Sequence, residues 1–253
     1  MNRIITDTNI WYNIAEGKYS YNRIKGLPLC LTALNVMELL ITPKRKTSEG
    51  KKLVIKTCKL IQKLAPYYIK YLPYQYISSK VYHKHVKHHQ VSKDYLSKII
   101  KDDFSADNEK LINEGYKSMK DKFKSTLDEQ TKANREDLLL KKQLKDINIL
   151  VTSALKDTRQ EIGRELNIDI SHEDILANQK LIDEFKLYYL SRATLYYNLT
   201  FNDFMVGKND QFDLMNMVYV GPSDKYWSDD EKWHGKINWQ GIEDYLFSLP
   251  MYR

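Results

Sequence analysis

The stretch RIITDTNIW, residues 3–11, decides the fold class because a short apolar run ends abruptly at an acidic side chain. The short segment 3–6, with Ile4 and Ile5 at its centre, predicts a buried strand of a parallel sheet that stops at Asp7. Residues 9–16 then predict a helix, and Gly17 ends it. The chain therefore begins with a strand–helix unit.

A second strand–helix unit follows directly. Residues 27–32 predict another buried strand, and Ala33–Ile41 predicts a helix with Glu38 beside its apolar residues. Pro43 ends this helix. Two such units in the first 43 residues predict an α/β fold with a parallel sheet.

The middle of the chain has a different character. The segment 47–64 is basic with a helical pattern, and helix formers dominate residues 92–197, including the amphipathic runs 109–123 and 136–155. No strand is predicted between 92 and 197. We therefore expect residues 46–204 to form a large all-helical insertion packed on the core.

The α/β pattern returns at the end of the chain. Residues 210–220 predict a helix, 225–228 a short strand and 242–249 a last helix. The sequence thus predicts a discontinuous α/β core made of residues 1–45 and 205–253.

The composition sets limits on the class of protein. The chain has 253 residues, of which 42% are hydrophobic and 29% charged, as in ordinary globular proteins. No apolar run approaches the roughly 20 residues that span a bilayer, and the N-terminus lacks a signal-peptide pattern. These features predict a cytoplasmic protein with no membrane partner, in which Cys30 and Cys58 are buried thiols. A net charge of +7 is compatible with a polyanionic partner.

Acidic residues stand at corresponding places in the predicted units. Asp7 and Asp230 each follow a predicted strand, and the carboxyl ends of parallel strands are where ligand sites form. Glu38 and Asp213 lie on neighbouring helices that can reach the same edge. Four converging carboxylates repel one another, and a divalent cation relieves that repulsion. Oxygen-only ligands favour Mg²⁺ or Mn²⁺.

These residues also carry a family resemblance. The segment 4–11 resembles the opening strand of PIN-domain ribonucleases, and 34–40 (LNVMELL) is similar to the acidic second-helix motif of that family. Residues 209–214 (NDQFDL) resemble its third acidic motif. Residues 228–231 (SDDE) resemble its threonine-x-aspartate motif, with Ser228 in the threonine place. The resemblance covers roughly residues 1–45 and 205–250, in the order of the family's motifs.

The resemblance implies a PIN-like three-layer fold and metal-dependent hydrolysis of phosphodiesters, most often in RNA. It assigns the metal and catalytic role to four acids, which are Asp7, Glu38, Asp213 and Asp230. Thr8, Asn9 and Ser228 would orient those carboxylates. Two assignments have a close rival: Asp210 for Asp213, and Asp229 for Asp230.

Other interpretations stay open for each acid. Asp7 and Asp230 are placed where an aspartate caps a helix, Glu38 could be a solvated helix residue, and Asp213 could be a surface acid near a helix N-terminus. At the level of function, the alternatives are a non-catalytic PIN-like module that binds nucleic acid or protein, and a structure-specific DNA nuclease. The sequence also leaves open a protein inhibitor, a toxin or defence context and a homodimer.

Two further clusters have structural explanations. The histidines within 83–89 lack the cysteine partners of a structural zinc site and predict a solvated basic surface. The tyrosines within 67–76 could stack unpaired bases, but packing of the insertion on the core is the preferred interpretation.

Overall fold

A computed structural model of the chain describes most of the predicted core and part of the helical middle. The described residues are 2–81, 90–103, 114, 147–166, 175–202, 204, 205, 207, 209–238 and 241–251. The histidine segment 83–89, the run 109–123 apart from residue 114, and residues 136–146 of the second amphipathic run lie outside them.

The centre of the fold is a four-stranded parallel sheet. Its strands are β1 (Ile4–Thr6), β2 (Leu29–Thr32), β3 (Tyr67–Ile69) and β4 (Lys225–Trp227), in the order β3-β2-β1-β4. The residues of β1 and β2 are all buried, as expected for strands covered on both faces. The first strand of the chain therefore pairs with the last.

Helices connect these strands and cover the sheet. In chain order they are α1 (Thr8–Ala15), α2 (Tyr21–Ile24), α3 (Ala33–Ile41), α4 (Ser48–Leu64), α5 (Pro73–Val81), α6 (Asp94–Lys101), α7 (Ile147–Leu166), α8 (Ile175–Glu184), α9 (Lys186–Phe201), α10 (Asp210–Asn216) and α11 (Glu231–Lys236). Three 3₁₀ turns, at Pro43–Lys46, Met217–Tyr219 and Glu243–Tyr245, complete the described elements.

Alternation along the strands divides the core between the two faces of the sheet. Ile5 and Tyr226 belong to a hydrophobic cluster with helices α5, α7, α8, α9 and α10. Ile4 and Trp227 belong to a second cluster with helices α1, α2, α3, α4 and α6. The sheet thus lies between two helical layers, and the predicted α/β class with a parallel sheet is confirmed.

Most elements of the predicted core occur close to their expected bounds. The helix Ala33–Ile41 forms as predicted, because Thr32 and Asn35 build a capping box at its start. Gly17 adopts a φ of +81° just after α1, a conformation that glycine adopts without steric strain. The 210–220 helix is α10 followed by the 3₁₀ turn Met217–Tyr219.

Two predictions of secondary structure are wrong. Strand β3 lies inside the 46–204 range that was expected to be all-helical. Tyrosine and isoleucine favour strands, but the three residues Tyr67–Ile69 are too few to show a strand pattern. Residues 242–249 do not form a helix. They make only the turn Glu243–Tyr245, after which the Phe247 amide donates to the Tyr226 carbonyl oxygen at 2.8 Å.

The tyrosines of the 67–76 segment pack rather than stand free. Tyr76 is buried, and Tyr67, Tyr71 and Tyr74 are partly buried against the cluster that contains Ile5. This burial supports the packing interpretation. No helix within the described residues combines the length and apolar character needed to cross a membrane.

A buried ionic network ties the helical layer together. The Arg192 side chain of α9 is 1% exposed and donates to both carboxylate oxygens of Glu161 on α7, at 2.8 Å each. It also donates to the hydroxyls of Tyr188 and Tyr196, at 2.7 and 2.8 Å, and Tyr74 on α5 donates to Glu161 at 2.8 Å. Burial opposes ionisation of Glu161, but Arg192 outweighs burial and lowers the pKa of Glu161.

Replacing Arg192 should therefore destabilise the protein strongly. Arg192→Met leaves the Glu161 carboxylate buried without its partner, and we expect a loss of about 3–5 kcal/mol in the free energy of unfolding, measured with urea. The double variant Arg192→Met with Glu161→Leu should recover most of that loss, because neither charge remains. A single variant within about 1 kcal/mol of the wild type would contradict this account.

Candidate metal centre

Asp7 lies at the junction of β1 and α1, at the carboxyl edge of the sheet. Its amide continues the sheet by donating to the Trp227 carbonyl oxygen at 2.8 Å. Its carboxylate accepts from the Thr8 amide at 2.6 Å and from Asn9 Nδ2 at 3.2 Å. Asp7 therefore caps α1, as one interpretation of the sequence predicted. The same position makes it a buried carboxylate at the sheet edge.

Glu38 approaches Asp7 through Thr8. The Thr8 hydroxyl donates to Glu38 Oε2, and Asn35 Nδ2 donates to Thr8 Oγ1 at 3.0 Å and to the Thr6 carbonyl oxygen at 3.1 Å. Glu38 is half-buried rather than fully solvated. Asn35, which is fully buried, was not among the predicted site residues; its place in the capping box of α3 is the sequence signal that could have identified it.

Asp213 and its rival Asp210 lie in the first turn of α10, yet their surroundings differ. Asp210 accepts from the Gly207 amide at 2.7 Å and forms an ion pair with Lys236 at 2.6 Å. Asp213 is 6% exposed, and within the described residues no donor forms a hydrogen bond to its carboxylate. Asp213 is therefore not a surface acid, and both of its carboxylate oxygens remain available, whereas Oδ2 of Asp210 already contacts Gly207 and Lys236.

Asp230 and its rival Asp229 follow β4. Asp230 caps α11, since its Oδ1 accepts from the Trp233 amide at 2.9 Å, and its own amide donates to Ser228 Oγ at 3.2 Å. Asp229 Oδ2 instead accepts from Asn13 Nδ2 at 2.7 Å and from the Tyr19 hydroxyl at 2.6 Å. Asp229 thus anchors the end of α1 and the following loop to the sheet.

The four carboxylates act on one another electrostatically. Burial raises the pKa of Asp7 to about 6, and the charge of Asp230 adds to that increase. Burial raises the pKa of Asp213 well above its usual value, and the charges of Asp7, Glu38 and Asp230 raise it further. The structure therefore brings the four predicted acids into one electrostatic neighbourhood.

Tyr226 is a second residue that the sequence reasoning missed. It is fully buried on β4, and burial raises the pKa of its hydroxyl well above the usual value. The charges of Asp7, Asp213 and Glu38 raise that pKa further, so the hydroxyl lies near these acids. Its place on a three-residue strand, next to the larger Trp227, provided no signal in the sequence.

The four acids are suitable ligands for a hard divalent cation, although their carboxylates are not arranged as a complete coordination shell. All four groups are carboxylates, the ligand type that Mg²⁺ and Mn²⁺ prefer. Two of them, Asp7 and Asp213, are buried and have no lysine or arginine partner in the described part of the chain. However, no three histidine, cysteine, aspartate or glutamate side chains among the described residues are arranged as a ready metal site.

Comparison with known proteins adds no relative. No protein-family model, curated protein or solved structure matches this chain.

The raised pKa of Asp7 predicts a specific dependence of stability on pH in metal-free protein. Because the folded-state pKa lies above the unfolded value of about 3.9, this carboxyl destabilises the fold increasingly from about pH 4 to about pH 6. Asp7→Asn keeps a capping side chain and removes the charge. We expect it to raise Tm by about 2–6 °C at neutral pH, corresponding to about 1–2 kcal/mol, and by less near pH 4.

Thermal melts in EDTA across this pH range measure the effect, and Asp229→Asn is the matched control. Asp229 accepts hydrogen bonds from Asn13 and Tyr19, so its replacement should not raise Tm. A lower Tm for Asp7→Asn than for the wild type at neutral pH would disprove the description of Asp7 as a destabilising buried charge.

Proposed function

We propose that this protein is a PIN-like, Mg²⁺- or Mn²⁺-dependent endoribonuclease. One observation carries the proposal: Asp7, Glu38, Asp213 and Asp230 share one edge of a parallel sheet, where two of them are buried without a cationic partner in the described chain. Buried carboxylates that raise one another's pKa are typical of sites built to hold a cation. The order of these acids in the sequence, which resembles the PIN family, supports the same class.

Hydrogen bonds from neighbouring residues support the proposed orientation of three of the acids. Thr8 donates to Glu38, Asn9 donates to Asp7, and Ser228 accepts from the Asp230 amide. Each of these three residues therefore limits the orientation of one carboxylate or of its backbone, which is the role expected of groups around a metal site.

In this proposal the bound cation would activate a water molecule and stabilise the charge on the attacked phosphate. Asp7 and Asp213 would hold the cation from the buried side of the site, and Glu38 and Asp230 would hold it from the half-buried side. Lys236 pairs with Asp210 and not with Asp213, so it does not neutralise the proposed ligand.

The contacts of the two rival acids support the choice among candidate ligands. Asp210 is already neutralised by Lys236, and Asp230, unlike Asp229, is among the main charges that raise the pKa values of Asp7 and Asp213. A ligand of a shared cation should lie close to the other carboxylates and have no cationic partner of its own. We therefore propose Asp213 and Asp230 as ligands, RNA as the preferred partner and the cytoplasm as the place of action.

Asp213→Asn tests this function. The substitution removes one charge from the proposed ligand set, and we expect cleavage of RNA with Mn²⁺ to fall at least about 100-fold. Circular dichroism and Tm should remain at or above the wild-type values, because a buried carboxylate is neutralised. Calorimetric titration with Mn²⁺ should show weaker binding for the variant.

The control is Asp229→Asn, in which the substitution is the same but the acid lies outside the proposed ligand set. It should keep most of its activity and its Mn²⁺ affinity. Undiminished, metal-dependent cleavage by Asp213→Asn would overturn the assignment. Parallel assays on RNA and on flap DNA would reveal a structure-specific DNA nuclease instead.

One observation favours a second candidate, a PIN-like module that binds nucleic acid or protein without cutting it. Among the described residues the acids do not form a ready set of three ligands. Under this alternative Mn²⁺ would neither bind nor raise Tm, and no RNA or DNA would be cleaved. Metal-dependent stabilisation of the wild type, lost in Asp213→Asn, would exclude it.

A further inference from the structure

The positive charge of the chain is concentrated in one short segment. Residues 43–64 contain eight lysine or arginine residues and a single acid, Glu49, giving a net charge of +7. The whole chain also has a formal net charge of +7, so the remaining sequence is neutral overall. This segment comprises the 3₁₀ turn Pro43–Lys46 and helix α4.

Four lysines of α4 form a single row, which we call the lysine face: Lys52, Lys56, Lys59 and Lys63. Their spacing of three and four residues places them on one side of the helix, about 5–6 Å apart. All four are exposed, and the opposite side of α4 is buried through Val54, Thr57, Cys58, Ile61 and Leu64.

The lysine face differs from an ordinary solvated helix surface because α4 contains a single acid, Glu49, which lies one turn before Lys52 on the same side. On a neighbouring side of α4, Lys51 forms an ion pair with Asp102. The four lysines of the face form no ion pair within the described residues. A row of four positive charges with one neighbouring acid is the electrostatic footprint of a polyanion-binding surface.

The lysine face leads toward the acids. Helix α4 is followed by β3, which runs parallel to β2, so α4 runs back across the sheet from the edge where the strands end. Just before α4, Lys44 Nζ lies 4.9 Å from the centre of the Tyr12 ring. Tyr12 is buried close to Glu38, whose charge contributes to the raised pKa of the tyrosine after the larger effect of burial.

The other end of the row also contacts an aromatic side chain. Lys63 Nζ lies 4.9 Å from the centre of the Tyr21 ring, and Tyr21 is 38% exposed. An exposed aromatic ring next to a basic row is a surface on which an unpaired base can stack.

We propose that the lysine face, together with Lys44 and Lys46, binds the phosphate backbone of a single-stranded polynucleotide and directs that strand to the acids. One row of charges matches one row of phosphates, and the exposed Tyr21 ring suits an unpaired base. The direction toward the acids rests on the proposed nuclease function, whereas backbone binding by the lysine face does not depend on cleavage.

The test compares two triple variants that remove the same charge from different surfaces. The first is Lys52→Gln, Lys56→Gln and Lys59→Gln. The control is Lys156→Gln, Lys180→Gln and Lys186→Gln, which changes three exposed lysines of α7, α8 and α9. Affinity for labelled single-stranded RNA and DNA of one sequence is measured in EDTA, which prevents cleavage, between about 50 and 200 mM salt.

Each lost phosphate contact should reduce the salt dependence of single-strand binding by about 0.7, so the first triple variant should lower the slope by about 2. Its affinity near 0.1 M salt should fall about 10- to 100-fold. The control should match the wild type in both quantities, and Tm should be unchanged in both variants. Equal behaviour of the two variants would overturn the inference.

The outcomes separate this inference from the proposed function. If the wild type cleaves RNA with Mn²⁺ and the lysine-face variant binds normally, the inference fails and the function stands. If the lysine face governs binding but no metal cleaves the strand, the inference stands and the nuclease function fails. Tighter binding to anionic phospholipid vesicles than to either polynucleotide would overturn the choice of partner.

Discussion

The parallel pairing of β1 with β4 is the contact on which the rest of the structure depends. It aligns Ile4, Ile5 and Thr6 with residues more than two hundred positions later, Lys225, Tyr226 and Trp227. Arg3 strengthens the junction because both its amide and its guanidinium donate to the Asp224 carboxylate. Only this pairing brings the Asp7 end of one strand beside the Asp230 end of the other. The candidate site exists because the two ends of the chain meet.

That pairing brings negatively charged carboxylates together, and no lysine or arginine of the described residues neutralises Asp7 or Asp213. Asp7 and Asp213 are both almost fully buried, and burial together with neighbouring acids raises their pKa values. The fold balances comparable charge elsewhere: Glu161 has Arg192, and Asp210 has Lys236. Among the described residues the other buried acids, Asp210 and Asp224, have cationic partners, and the exception formed by Asp7 and Asp213 is the basis of the proposed cation site.

The sequence predicted those features that depend on local pattern. The strands at 4–6 and 29–32, the helix Ala33–Ile41 and the acids beside them follow from apolar runs and from the residues that end them. It did not predict β3, since three residues carry too little pattern, nor the role of Asn35, whose hydrogen bonds join β1, α1 and α3. The choice between Asp210 and Asp213 needed the position of Lys236, which only the tertiary structure supplies.

The two proposals are connected by the positions of opposite charges. The acids lie at the carboxyl edge of the sheet, and the lysine face lies on a helix of the layer that covers one side of that sheet. The acids at the sheet edge repel a polyanion, so a nuclease of this kind needs a cation at the reacting phosphate and attraction away from it. In our proposal the lysine face would provide that attraction on the outer side of α4, whose other side packs with α1 in the same hydrophobic cluster. Because the remainder of the chain is neutral overall, attraction to a polyanion would be concentrated in residues 43–64, where Lys44 lies over the Tyr12 ring. The strand would therefore be held by its backbone at a distance from the acids, and only the phosphate that meets a bound cation could approach them.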